Sequence, residues 1–271
     1  MKTRVMSGLI MVPLLLVIYF GGIWLWIAAL LISVIGLQEF CNGFEALGVH
    51  PAKRLSQALA CGLFGALVPE VISGPWDIGK VSLILMFWTF VAVAAAMMYG
   101  WKITERGTYD AVATVTALVY IPFFAAHIVL LDLTPFRILT WVIVLAAFGS
   151  DIFAYFTGYF LGKHKMSPNL SPKKTVEGAI GGLIGSTAAC AIFGLLFLKD
   201  HVALCAVLGL VGGAAGMAGD LTASMFKRKM GIKDYGTLIP GHGGIMDRFD
   251  SVLFAAPVIY YITVFYSMIQ A

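Results

Sequence analysis

The chain has 271 residues, of which 60% are hydrophobic and only 12% charged, where a soluble domain carries about 25% charged residues. With a mean hydropathy of +0.93, that composition excludes a soluble globular enzyme and points to a polytopic, all-α integral membrane protein. The net charge of +4 fits membrane orientation better than nucleic-acid binding, and the four cysteines, Cys41, Cys61, Cys190 and Cys205, lie in apolar surroundings without a CxxC pair and read as small core residues.

Apolar runs near 20 residues long read as membrane-spanning helices. They fall at 7–21, 23–44, 55–74, 80–99, 110–131, 137–161, 176–198, 202–223 and 249–269. The first run follows a basic start but no small-residue cleavage site, so it reads as a retained span rather than a signal peptide. Nine spans place the N-terminus and the loops after spans 2, 4, 6 and 8 on one face. That face holds 15 of the 18 Lys and Arg residues, and the other holds only Lys80, Arg137 and Lys199. The positive-inside rule makes the basic face cytoplasmic, with the C-terminus outside. Residues 1–136 read as a packing and lipid-facing region and 137–271 as the catalytic region. Glycine pairs such as Gly178/Gly182 and Gly181/Gly185 suit close helix packing.

Chemistry concentrates in the second half. Asp151 lies inside the sixth span, where a carboxylate is costly. It is followed by Tyr155, Gly158 and Lys163, and then by Ser171-Pro172-Lys173-Lys174-Thr175-Val176-Glu177-Gly178. This reads as a phosphate-binding loop running into a helix, although Glu177 also suits a helix N-terminus electrostatically. Glu39, in the second span, is either a partner for a basic side chain or a polar wall of a site.

Asp220 sits near the cytoplasmic end of the eighth span. If the helix continues, Ser224 and Lys227 share its face. Arg228, Lys233 and Asp234 follow, then Pro240-Gly241-His242-Gly243-Gly244 and the helix start carrying Asp247, Arg248 and Asp250. A glycine-rich loop before a helix start is a ready anion site. Carboxylates beside phosphates call for Mg²⁺. His242 has no second histidine at metal-ligand spacing, so it reads as a phosphate contact or loop-shaping residue. No GxxxxGK[ST] loop, GxGxxG fingerprint or GxSxG elbow occurs, so phosphate binding here is not that of a soluble nucleotide fold.

The run from Ser224 through Phe226, Lys227, Arg228, Lys233, Asp234, Gly236, Ile239, Pro240, His242, Gly243, Gly244, Ile245, Asp247, Arg248, Phe249 and Asp250 closely resembles the signature of the phosphatidate cytidylyltransferases, or CDP-diacylglycerol synthases. The Gly219-Asp220-Leu221 lead-in, Ser150-Asp151 and the Ser171–Gly178 segment resemble bacterial members. The resemblance implies transfer of a cytidylyl group from CTP to phosphatidate, with Mg²⁺ and an accompanying monovalent cation such as K⁺. It also implies a homodimer in the inner membrane with a cavity open to cytoplasm and lipid, and no nucleic-acid partner.

On that resemblance Asp220 and Asp247, with Asp250 as a further candidate, hold the metal. Lys227, Arg228, Lys233 and Arg248 offset phosphate charge. Ser224, Thr175 and the His242-Gly243-Gly244 backbone supply hydrogen bonds, and Asp151, Lys174, Glu177 and Asp234 complete the substrate-binding set. The rivals are a related cytidylyltransferase or kinase acting on another membrane lipid, or an ion-coupled transporter using Asp151 and Glu39. A transporter places its polar residues near the membrane midplane, whereas these crowd the cytoplasmic ends of the spans.

Overall fold

The computed structural model describes residues 15–73, 76–238, 241 and 243–270. Eight helices among them are long and apolar enough to cross a membrane. They are α1 (Gly22–Glu45), α2 (Lys53–Ser73), α3 (Ile78–Tyr99), α4 (Thr108–Leu133), α5 (Thr140–Leu161), α6 (Val176–Phe197), α7 (Val202–Met230) and α8 (Met246–Gln270). They match the second to ninth expected spans. The first expected span lies mostly outside the described residues, which pick it up only at Leu15, with helix through Phe20. Many large apolar side chains point outward: Leu83, Met86, Phe87 and Phe90 of α3 are 67–71% exposed. Water would penalise such a face and lipid does not, so this is a multi-pass membrane protein.

The chain divides into two compact units. The first takes the residues up to Pro135 together with Lys229–Arg248, and the second takes Phe136–Arg228 and the residues from Phe249 onward. In the first unit, Leu37, Phe40, Phe64, Leu118 and Ile121 are fully buried. Buried indoles find acceptors across helices: Trp26 donates to the Phe64 carbonyl at 2.9 Å and Trp88 to that of Leu59 at 2.7 Å. A π-helical turn interrupts α4 at Val119–Phe123 around Pro122. Proline has no N–H to give the preceding turn, and the wider turn absorbs that loss.

In the second unit, α5 and α6 pack closely along the glycines of α6. A side chain at Gly182 would meet the Ser150 carbonyl, and one at Gly185 would overlap the Phe153 ring. In the same unit Ser186 on α6 donates to the Gly209 carbonyl on α7 at 3.0 Å. Between α5 and α6 the chain forms a small antiparallel hairpin, β1 (Lys165–Ser167) with β2 (Ser171–Thr175), pairing Lys165 with Thr175. The all-α expectation holds for the spans, and this hairpin is the one addition to it among the described residues.

Candidate functional site

The second unit contains a cavity of about 580 Å³. Its polar lining is Asp151 from α5, Lys165, Lys173, Lys174 and Thr175 from the hairpin, and Asp220 from α7. The Lys174 ammonium lies 2.5 Å from the Asp220 carboxylate, both about one-quarter exposed. Three ammonium groups against two carboxylates favour an anionic occupant. Tyr155 and Tyr159, one turn apart on α5, add an aromatic wall, with rings 6.4 Å apart and nearly parallel.

Asp250 lies in the first turns of α8 and is buried. Its carboxylate accepts the Ser251 N–H at 2.8 Å and sits within electrostatic range of Asp220, Asp151 and Lys227. The Ser251 hydroxyl donates to Asp151 at 3.3 Å. Asp250 therefore feels Asp151 and Asp220 as neighbouring negative charges and Lys227 as a positive one, and Lys174 pairs with Asp220. Because α7 continues to Met230, seven residues past the expected span, Ser224 and Lys227 do follow Asp220 along one helix, as the spacing predicts.

Two residues expected to bind substrate turn out to organise the entry to α6. Thr175 is its N-cap, the hydroxyl accepting the Gly178 N–H at 3.1 Å. The Glu177 carboxylate is absent from the cavity lining. It accepts the Lys163 and His164 backbone N–H groups at 3.0 and 3.2 Å and contacts His164 Nδ1 at 2.6 Å. These contacts tie the residues just after α5 to the first turn of α6. Arg228 is exposed and donates through Nε to the Leu170 carbonyl at 3.3 Å, tying α7 to the hairpin turn.

The remaining signature residues belong to the first unit. Asp247, in the first turn of α8, accepts the Tyr235 N–H at 2.7 Å and the Gly244 N–H at 3.0 Å through the same oxygen, Oδ2. It draws Tyr235 and Gly244 together at its own helix start. Gly243 has φ +84, and a side chain there would press on both Asp247 and Asp234; only glycine tolerates that conformation at low cost. Lys233 and Asp234 are exposed and Arg248 is half-buried. His242, with Ile239 and Pro240, lies outside the described residues, as does Lys2 with Arg4.

Glu39 binds backbone donors rather than the basic side chain that one of its readings offered. Its two carboxylate oxygens accept the backbone N–H groups of Ile245 and Met246 at 3.1 and 2.9 Å. The sequence contained no local signal for this, since the partners are more than two hundred residues away. Two N–H groups at this helix start are therefore taken by a side chain of the protein itself. Lys165 and Tyr159, both on the cavity wall, were also missed by the sequence reading; Lys165 looked like an ordinary orienting charge in a basic loop.

The protein-family model described as "Cytidylyltransferase family" matches residues 2–266. Similar curated proteins include phosphatidate cytidylyltransferases of Staphylococcus saprophyticus, 31% identical with 96% of this chain and 97% of that protein covered, and of Synechocystis sp., 32% identical with 96% of each covered. That of Staphylococcus haemolyticus is 30% identical, with 95% of each chain covered.

Proposed function

The chain belongs to the cytidylyltransferase family, and from that premise we propose that it transfers the cytidylyl group of CTP to phosphatidate, giving CDP-diacylglycerol and pyrophosphate. The observation that carries this reading is the lysine-rich cavity with its acidic base, set among helices fit to span a membrane. A soluble nucleotide and a lipid phosphate both bring negative charge, and both need cations where cytosol meets bilayer.

A phosphatidate oxygen attacks the α-phosphorus of CTP, and the bond from that phosphorus to the bridging β-oxygen breaks. The nucleophile is already an anion, so no strong base is required. The work left to the protein is to bring two anions together and to stabilise the leaving charge. Lys165, Lys173 and Lys174 line the cavity and supply positive charge. Lys227 adds another beside Asp250. Tyr155 and Tyr159 offer an apolar wall that excludes water from one side.

Among the described residues no three carboxylate, histidine or cysteine side chains gather as a metal centre, so a divalent cation would rely on substrate oxygens as well. Asp220 and Asp250, within electrostatic range of one another, offer only oxygen, which is what Mg²⁺ takes together with phosphate oxygens and water. The family resemblance adds Asp247, whose Oδ2 already accepts two backbone N–H groups, as a further candidate. Mg²⁺ bound there would neutralise phosphate charge. Lys174 is the cation that Asp220 already holds.

The crowding of Lys and Arg in alternate loops supports a cytoplasmic site in the inner membrane, and a homodimer is part of the same reading. The deciding assay supplies labelled CTP and phosphatidate in mixed micelles. A Mg²⁺-dependent CDP-lipid with stoichiometric pyrophosphate is expected. A phosphorylated lipid with CDP released would make the protein a lipid kinase instead.

A further inference from the structure

We propose that Glu39 is the positioning residue for the stretches 231–238 and 243–247: its carboxylate is the resident anion of the α8 N-terminus, keeps substrate phosphate off that terminus, and holds these two stretches in the arrangement that aims Asp247. The proposal rests on the cytidylyl-transfer reading for what Asp247 is aimed at.

A helix start presents unpaired N–H groups, and after a glycine-rich loop they ordinarily receive a ligand anion. Here the Ile245 and Met246 N–H groups are each taken by one oxygen of Glu39, which is only 7% exposed. Gly236 and Gly244 close over the same carboxylate, and a Cβ at either position would collide with it. These two glycines leave room for Glu39 rather than for a ligand.

The rest of that face of α1 is shaped for the same two stretches. One turn before Glu39, a side chain at Gly36 would meet the Met246 sulfur at 3.1 Å. One turn after it, a side chain at Gly43 would meet the Met230 sulfur at 2.6 Å. The outer ends of both stretches are thus seated on α1. Beside Glu39, the Phe40 ring packs against Tyr235 with centroids 5.8 Å apart.

These contacts converge on one oxygen. Tyr235, gripped by Phe40, and Gly244, which covers Glu39, are the two residues whose N–H groups hold Asp247 Oδ2. A change at Glu39 is therefore transmitted to Asp247 through the backbone on both sides. Glu39 itself need touch neither substrate.

The test uses the full chain in detergent with Glu39→Gln. The amide keeps the volume but sets an NH₂ against one of the two N–H donors. Glu45→Gln, an exposed change of the same charge on the same helix, is the control. In ligand-free protein, amide hydrogen exchange across 243–247 is expected to quicken in E39Q and not in E45Q. In the lipid assay, kcat for E39Q should fall about tenfold, the equivalent of losing roughly one buried charge-assisted hydrogen bond, with KM for CTP little changed.

Gly244→Ala, which displaces the carboxylate without removing it, should reproduce the kcat loss. It keeps the question open to measurement should E39Q fail to fold. Unchanged exchange and unchanged kcat would overturn the proposal. So would a raised KM for CTP at full kcat, because Glu39 would then be a wall of the nucleotide site. A wild-type protein that forms no CDP-lipid would defeat the cytidylyl-transfer reading alone, since the exchange measurement needs no substrate.

Discussion

Lys174 and Asp220 meet at 2.5 Å on the wall of the cavity, joining two residues that the sequence offered as separate candidates. Residue types and their crowding toward one membrane face were legible because charge beside a bilayer is rare enough to stand out. Pairing was not, because residues 46 positions apart carry no mark of one another. Replacing Lys174 with Met removes the cation nearest Asp220. It should lower kcat/KM for CTP by about 10²-fold, the scale of losing one preorganised charge contact, as read by initial rates of CDP-lipid formation. Recovery of full rate in Lys174→Met would remove this pair from the reaction. Asp247 teaches the same limit in another form: its carboxylate stood out in the sequence, but its hold on the Tyr235 and Gly244 N–H groups is a matter of tertiary structure.

The α6 N-terminus shows what an element requires beyond its composition. Ser-Pro-Lys-Lys-Thr read as a loop, yet it pairs with Lys165–Ser167 as a hairpin before entering the helix. Two short strands alone are marginal in water. This pair is tied down by the Glu177 staple at its base and by Arg228 at its turn. Both ties are tertiary, so strand propensity could not announce them. The Thr175 hydroxyl caps α6, and Thr175→Val keeps the shape while losing the cap. It should cost about 1 kcal/mol of stability, seen as a lowered thermal midpoint in detergent, whereas Thr175→Ser should remain near wild type. Equal midpoints for the two variants would show that the cap is dispensable.

Across the whole molecule, two properties of the second unit and of the loops can be tested without substrate. The α5–α6 packing depends on having no side chain at Gly185, where the Phe153 ring already lies. Gly185→Leu should overpack that seam by about 1–3 kcal/mol or more and yield protein that aggregates on extraction. A well-folded Gly185→Leu variant would mean that the helices part easily. Orientation is tested in a chain with its four cysteines replaced. A single cysteine at Lys163 should react with an impermeant thiol reagent only from the cytoplasmic side, and one at Lys199 only from the opposite side. Labelling of Lys163→Cys from outside would invert the topology argued from charge.

The sequence by itself determined the spans from Gly22 onward and the family. Each depends on local composition or on an unbroken run of residues: about 20 apolar residues cross a bilayer, and the signature from Ser224 to Asp250 is contiguous. Only the tertiary structure decided that Lys165 and Tyr159 join Asp151 and Asp220 around one cavity. Only the tertiary structure, likewise, set Glu39 on the helix start beside Asp247. A buried carboxylate must find donors, and which donors are within reach depends on the packing of distant helices rather than on neighbours in the chain.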